Sequence, residues 1–547
     1  MPSPVLTACS VIAAVGLLKL LSRFMARSPL DKLRGPPNPS LLRGNVDEIT
    51  NIDGWEIHRR LSEEYPGAAK IWGPFASRRL YVSDPLALYN ILVKDQYVYT
   101  KALDRTGELG ALVFGRGLLS TYGHNHKRQR KLMNPVFSMA HMKYMIPQFY
   151  DVCHQLCDAL TSQLVGGERE VDILVWMTRT AMELVGRAGL GYSFDPLTEE
   201  TSNHYADAIK ALVPVLSTSG RLRELVPYFT ALNTPSLFKR IVPYIPIKRV
   251  QRLRYVTEAL EKASREVYNA KKEALQRGDE AVMQQIGRGK DIMSILLKAN
   301  LEADENDRLP ESEVIAQMST LVFAATDTTT NALSRILHLL SEHPDVQQKM
   351  RDEILKARQA QGHELMYEEL DALPYMDSVI RETLRLYAPV PTLFRTATKD
   401  MVLPLLKPIT SADGFLLHEI AVPRGTTVVV SLRNINRSKE YWGEDAHEWK
   451  PERFLNPLPA QLLEAHVPGI YSNMMTFGGG AFSCIGFKFS LLEMKVVLAL
   501  LLERFAFSLP KEEIAWKMGG IIFPTVAGTQ GAHMPLRMSL LKNVSPS

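Results

Sequence analysis

The sequence predicts a mainly α fold with small β-sheets, carried behind a single N-terminal transmembrane helix. Three observations lead there: an uncharged apolar run at the start, long stretches with apolar residues at three- and four-residue spacing, and strand signals that are few and short.

The apolar run comes first. Val5 to Leu18 carries no charge, and Leu20, Leu21, Phe24 and Met25 continue it past Lys19 and Arg23. Val5 to Met25 reaches about 31 Å at ~1.5 Å per residue, enough for a ~30 Å hydrocarbon core if the two cations snorkel. Positive charge gathers only on its C-terminal side (Lys19, Arg23, Arg27, Lys32, Arg34), which predicts a cytosolic body behind a single span. A cleaved signal peptide is the rival, but it wants a charged leading region, and Met1 to Ser10 has none. Arg34-Gly35-Pro36-Pro37-Asn38-Pro39 is too proline-rich for helix or central strand. The organisation expected is an anchor over 1–27, a proline-rich hinge over 28–40 and a body over 41–547.

In the body, Asp291 to Asn300 and Ser312 to Ser341 carry apolar residues at helical spacing, with Ser312 expected as an N-cap and Pro344 beyond the end. Leu80-Tyr81-Val82 and Thr426 to Leu432 read as strands. No strand–helix alternation suggests a doubly wound sheet, and the chain contains no Walker loop, G-x-G-x-x-G or G-x-S-x-G.

Composition narrows the function. The chain has 547 residues, a net charge of +5, 46% hydrophobic and 22% charged residues, which excludes a collagenous or wholly disordered protein. The charge is too small and dispersed to argue for nucleic acid. Four cysteines cannot build a disulfide framework, so the body belongs in a reducing compartment. Cys9 falls in the anchor, and Cys153 and Cys157 share a helix face as core residues.

Cys484 is different. Phe477-Gly478-Gly479-Gly480-Ala481-Phe482-Ser483-Cys484-Ile485-Gly486 is a glycine-rich loop running into the stretch Phe487 to Leu501, read as amphipathic. Its glycines let backbone pass close to a flat object, and a cysteine just ahead of a helix is expected to favour the thiolate. A thiolate with backbone donors and an apolar wall suits an axial haem ligand.

On these residues the chain resembles the cytochrome P-450 monooxygenases, and in its Cys-Ile-Gly-Phe-Lys-Phe ending their fungal membrane-bound members. Phe477, Gly480, Cys484 and Gly486 match F-x-x-G-x-[R/H]-x-C-x-G. Glu382 and Arg385 match E-x-x-R, and Arg453 lies in Pro451-Glu452-Arg453-Phe454, similar to P-E-R-F. Ala324-Ala325-Thr326-Asp327-Thr328-Thr329 resembles the oxygen-activating [A/G]-G-x-[D/E]-T-[T/S], and Gly123 to Ser138 the helix that carries W-x-x-x-R. Three positions depart: Phe482 stands for Arg or His, His126 for Trp, and Ala325 for Gly.

The resemblance implies a cytochrome P-450 fold and haem b with its iron on Cys484. Arg130, His126, Arg395, Phe477, Gly480 and Gly486 would hold the cofactor, and Asp327 and Thr328 would deliver protons. Glu382, Arg385 and Arg453 would form a structural ion triad. It further implies electrons from NADPH through a flavoprotein, NADPH-cytochrome P-450 reductase, for which Lys127, Arg128 and Lys131 offer outward charge. Leu112, Val113, Phe114, Leu393, Ile522 and Phe523 suggest an apolar cavity for a lipophilic terpenoid, polyketide or fatty acyl substrate. A tailoring hydroxylation in secondary metabolism fits best. Fatty-acid or xenobiotic hydroxylation, a haem-thiolate isomerase or dehydratase, and a haem sensor or electron carrier are the alternatives.

Overall fold

The computed structural model describes residues 27–101, 107–195, 197, 242–278, 280–281, 289–529 and 531–541. The expected anchor therefore lies, but for Arg27, outside the described residues; among those described, no helix is long and apolar enough to cross a membrane.

The longer helices are α1 (Trp55–Glu63), α2 (Gly107–Phe114), α3 (Gly123–Met133), α4 (Met139–Gln163), α5 (Ile173–Leu184), α6 (Lys248–Arg277), α7 (Ile292–Glu302), α8 (Glu311–Glu342), α9 (Pro344–Gln361), α10 (Pro374–Leu386) and α11 (Phe487–Arg504). The strands are β1 (Ala68–Trp72), β2 (Arg78–Val82), β3 (Tyr99–Lys101), β4 (Arg169–Asp172), β5 (Thr392–Ala397), β6 (Met401–Thr410), β7 (Leu416–Val422), β8 (Thr427–Ser431), β9 (Phe505–Ser508), β10 (Ile514–Met518), β11 (Ile522–Val526) and β12 (Pro535–Leu540). The chain divides into two compact units: Met1–Thr100 with Thr392–Ala446 and Pro459–Phe482, and Lys101–Pro391 with His447–Leu458 and Ser483–Ser547.

The first unit is built on a sheet of order β1-β2-β8-β5-β3. Its centre is the parallel pair β2 and β8, with Leu80 opposite Val428 and Val82 opposite Val430. All four are fully buried. Continuous apolar runs are what strands covered on both faces require, and these are the two strands visible in the sequence. Ile57 and Leu61 of α1 pack with Ile71, Tyr81 and Val429 on one face. The proline segment is fastened to this unit: Arg34 accepts from the Lys70 amide at 2.9 Å, Pro37 accepts from Asn45 Nδ2 at 3.1 Å, and Leu30 and Leu33 are buried.

In the second unit, α8 is 32 residues long and packs against α5, α6, α10 and α11. It starts after Pro310, an extended residue with no side-chain cap, so Ser312 lies inside the first turn instead of capping it. Proline sets the start by its fixed φ, and Glu311 and Glu313 complement the dipole. α11 is not amphipathic as expected. Leu492 to Leu502 are all buried, because α4, α8, α9 and α10 pack around it. Two small sheets, β4-β12-β9 and β10-β11, complete the unit.

Candidate active site

The cysteine loop is held by backbone geometry. Gly478 and Gly480 adopt φ of 71° and 67°, a region that disfavours a side chain. A Cβ on Gly480 would sit 1.8 Å from the Leu92 carbonyl oxygen, so only glycine passes there. The Ala481 amide donates to Gln96 Oε1 at 2.6 Å, an anchor 385 positions away that no local pattern announces. The Phe477 ring stands edge-on to Tyr471 with centroids 5.5 Å apart. Gly486 differs from Gly480: its nearest neighbour to an added Cβ would be Phe137 Cε1 at 3.8 Å, so the protein's own packing does not demand glycine.

Cys484 precedes α11, where the Gly486 amide and the Arg130 cation both favour a thiolate. Burial outweighs them and pushes the thiol up to about 11. By surface area the residue is exposed, but a sulfur crowded by protein on its other sides loses hydration that an anion needs. The expected thiolate is thus not a property of the loop alone. Coordination to a metal would have to displace the proton. Cys153 and Cys157 are fully buried free thiols.

Glu382, Arg385 and Arg453 come together. Arg385 grips Glu382 with Nη2 to Oε1 at 2.7 Å and Nε to Oε2 at 2.8 Å, and Arg453 Nε donates to Oε1 at 3.3 Å. The Lys450 amide adds a fourth donor at 3.1 Å. Both Glu382 and Arg385 are wholly out of water. Trp449 Nε1 donates to Thr383 Oγ1 at 3.0 Å, and Ser378 donates to the Pro451 carbonyl, so α10 and the segment before Phe454 close on each other.

Asp327 and Thr328 sit at mid-length on α8. Thr328 Oγ1 donates to the Ala324 carbonyl at 2.7 Å, leaving its lone pairs to accept; donating elsewhere means giving up that bond. Asp327 is half-buried by area, but its Oδ2 is enclosed and meets no hydrogen-bonding group among the described residues. Burial raises its carboxyl to about 7, where it is half protonated at neutral pH and suited to acid–base work. Thr326 and Thr329 are buried on other faces. The Phe114 ring lies 4.6 Å from that of Phe323, and Val113, Phe114 and Ile522 are buried apolar residues.

The cations divide into two kinds. Arg130 Nη1 donates to the Ser483 carbonyl at 3.1 Å, beside Cys484, and His126 on the same helix is buried. Arg128 is not the outward charge the sequence suggested. Its side chain is 16% exposed and binds Glu313 at 2.9 Å. Gln129 Nε2 donates to the same carboxylate at 2.8 Å, tying α3 to the first turn of α8. Lys131 pairs with Asp307. Helix periodicity placed these side chains outward without showing that acidic residues stand opposite.

Arg395, in the first unit, is 5% exposed and pairs with no carboxylate among the described residues. It donates to the Phe394 carbonyl and lies 5.6 Å from the Phe482 ring. Burial lowers its pKa to about 10. A buried guanidinium without a counter-ion calls for an anionic group, and Phe482 serves as its aromatic shelf in place of a second cation.

Each unit carries features that a haem would use: the second, a cysteine sulfur with a backbone donor; the first, a glycine-lined turn and a buried arginine with no carboxylate partner among the described residues. Comparison with known proteins agrees. The cytochrome P-450 family model matches residues 34–526. A protein named cytochrome P-450 monooxygenase 91, from Postia placenta, is 51% identical over 96% of this chain and 97% of its own length. Another from the same fungus, cytochrome P-450 monooxygenase 81, is 49% identical over 97% and 96%. A Ganoderma lucidum protein named ganoderic acid synthetase is 44% identical over 96% and 97%. With its fold, its cysteine loop and full-length relatives in agreement, this chain belongs to the cytochrome P-450 family and is a haem-thiolate monooxygenase.

Proposed function

We propose that the chain inserts one oxygen atom of molecular oxygen into a lipophilic substrate, as a tailoring oxidation of a terpenoid or polyketide in fungal secondary metabolism. The observation that carries the monooxygenase chemistry is the Asp327–Thr328 pair on α8, an acid poised at about 7 beside a hydroxyl. An isomerase or dehydratase working without external electrons has no use for that pair. The relative named for ganoderic acid synthesis supports the secondary-metabolic setting. The buried apolar residues Val113, Phe114 and Ile522 support a lipophilic substrate.

Cys484 would hold the haem iron through its sulfur, and the haem would supply the oxygen-activating chemistry. Arg395 and Arg130, with His126, would neutralise its carboxylates; Phe477, Gly480 and Gly486 would bed the macrocycle. Asp327 takes protons and passes them on, and Thr328 accepts a hydrogen bond at the oxygen site and orients the proton there. Electrons come from NADPH through a flavoprotein reductase. Residues 1–27 hold the protein on the cytosolic face of the endoplasmic reticulum membrane.

Thr328→Ala tests the chemistry. Substrate-binding spectra stay native, NADPH is still consumed, product per NADPH falls by tenfold or so, and hydrogen peroxide rises. Coupling equal to the parent value rejects the acid–alcohol assignment. Deleting residues 1–27 tests the anchor: most of the protein moves to the soluble fraction with haem still bound, and full retention on membranes rejects it.

A further inference from the structure

Residues 96–98 of the first unit tie two parts of it together. On one side, Gln96 Oε1 accepts from the Ala481 amide at 2.6 Å. On the other, the Val98 carbonyl accepts from both the amide and the hydroxyl of Thr398, each at 3.0 Å. Tyr97 lies between these anchors, so the backbone on either side of it is held. Its ring meets that of Phe482 edge-on, with centroids 5.9 Å apart and planes at 63°. The Phe482 ring centre in turn lies 5.6 Å from the guanidinium carbon of Arg395. Arg395 itself is set in β5, opposite the fully buried Val428 of β8. Three side chains far apart in the sequence thus form one chain of contacts.

Arg395 is the member with unmet chemistry. Among the described residues only Nη1 finds an acceptor, the Phe394 carbonyl at 2.9 Å, and Nε is enclosed and finds none. Most of the N–H donors of this guanidinium are therefore unused. Burial lowers its pKa to about 10, which still leaves it charged at neutral pH. An arginine or a protonated histidine at 482 would repel that charge, whereas a phenyl ring within ~6 Å attracts it. Tyr97 limits where the Phe482 ring can move, and the Phe482 ring limits where the guanidinium can.

We propose that Phe482, braced by Tyr97, is a positioning residue that holds the Arg395 guanidinium ready for a haem carboxylate. This rests on the reading of Arg395 as a partner of that carboxylate. The departure from Arg or His at 482 then exchanges a second cation for better placement of the first. A guanidinium already confined by a ring loses less rotamer freedom when the carboxylate binds, so more of the charge-assisted hydrogen bonding is kept as affinity. The ring matters in this way only for a cofactor with a free carboxylate. That requirement separates positioning from simple packing against the macrocycle.

The test uses the full chain loaded either with haem or with haem dimethyl ester, whose carboxyls are masked as neutral esters. Release is followed by absorbance as an excess of haem-free globin takes up the pigment. With haem, Arg395→Leu releases about tenfold faster than the parent. Phe482→Leu releases about threefold faster, and Phe482→Tyr, which keeps a ring, releases like the parent. The double variant Arg395→Leu with Phe482→Leu is no faster than Arg395→Leu alone, because the ring acts through the guanidinium. With the ester, every variant releases at the parent's rate. Phe482→Leu that matches the parent with haem, or that speeds release of the ester as much as of haem, overturns the proposal. So does a double variant in which the two effects multiply. If Arg395→Leu leaves haem release unchanged, the carboxylate reading itself fails; if it speeds release while Phe482→Leu does not, that reading stands and the positioning role is wrong. Tyr97→Leu, outside the cysteine loop, carries the test where Phe482→Leu fails to take up haem: faster release of haem but not of ester supports the brace, and equal effects on both overturn it.

Discussion

Two carboxylates of the second unit are enclosed by protein and meet opposite fates. Glu382 receives two guanidinium groups and a backbone amide, so its charge is compensated from every side. Asp327 has an enclosed oxygen with no partner among the described residues, and burial alone moves its carboxyl to about 7. The contrast shows how one kind of side chain serves structure or proton transfer according to what stands opposite. A paired buried carboxylate is locked, and removing its partner is what costs stability. An unpaired one is near its titration point and able to exchange protons.

The largest effect comes from breaking the locked side. Arg385→Ala leaves Glu382 short of its bidentate partner and costs about 3–5 kcal/mol, measured as lost thermal stability and lost yield of haem-loaded protein. An unchanged yield breaks the comparison, because Glu382 then does not depend on its pairing.

A smaller effect is expected on the unlocked side, with the opposite sign. Asp327 titrates at about 7 in the fold and at about 4 unfolded, so the native state binds more protons between those values and stability falls as pH rises through that window. Asp327→Asn removes this slope and is more stable than the parent at pH 8 by on the order of 2 kcal/mol, read from denaturant midpoints at pH 5 and 8. Parallel pH profiles for parent and variant place the ionised carboxylate in contact with water and remove the contrast.

Cys484 sharpens the comparison without a large stability change. It is a third acid with its ionising atom crowded by protein, raised to about 11 although an amide and a cation favour its anion. In haem-free protein, thiolate absorbance attributable to Cys484, by difference from Cys484→Ser, appears only in alkali. Loading haem near neutral pH releases the thiol proton, and Cys484→Ser abolishes the red-shifted carbon-monoxide band. Thiolate absorbance at pH 8 without haem means that the loop, not the metal, ionises the sulfur.

The legible parts of the chain share a physical cause. β2 and β8 stand out because strands buried on both faces must be continuously apolar, whereas β6 and β7 keep only two buried positions each and Pro404 and Pro408 interrupt β6, so neither offers such a run. α8 is visible from its period, but its start is not, since Pro310 and not Ser312 begins it. The cysteine loop, the E-x-x-R pair and the Asp327–Thr328 step are short-range patterns, and short-range patterns survive in a linear reading.

What the sequence by itself determined is therefore the local chemistry: which cysteine can ligand a metal, which glycines must turn, which acid and alcohol are neighbours on a helix. Tertiary structure alone decided how that chemistry is tuned. Arg128 is a structural tie because Glu313, 185 positions away, faces it. Gln96 pins the cysteine loop across 385 positions. Among the described residues Arg395 has no carboxylate partner and Asp327 Oδ2 no hydrogen-bonding partner, because of what the fold leaves opposite them. Protonation and pairing depend on the dielectric and the charges within a few ångströms in space, and a sequence lists neighbours only along the chain.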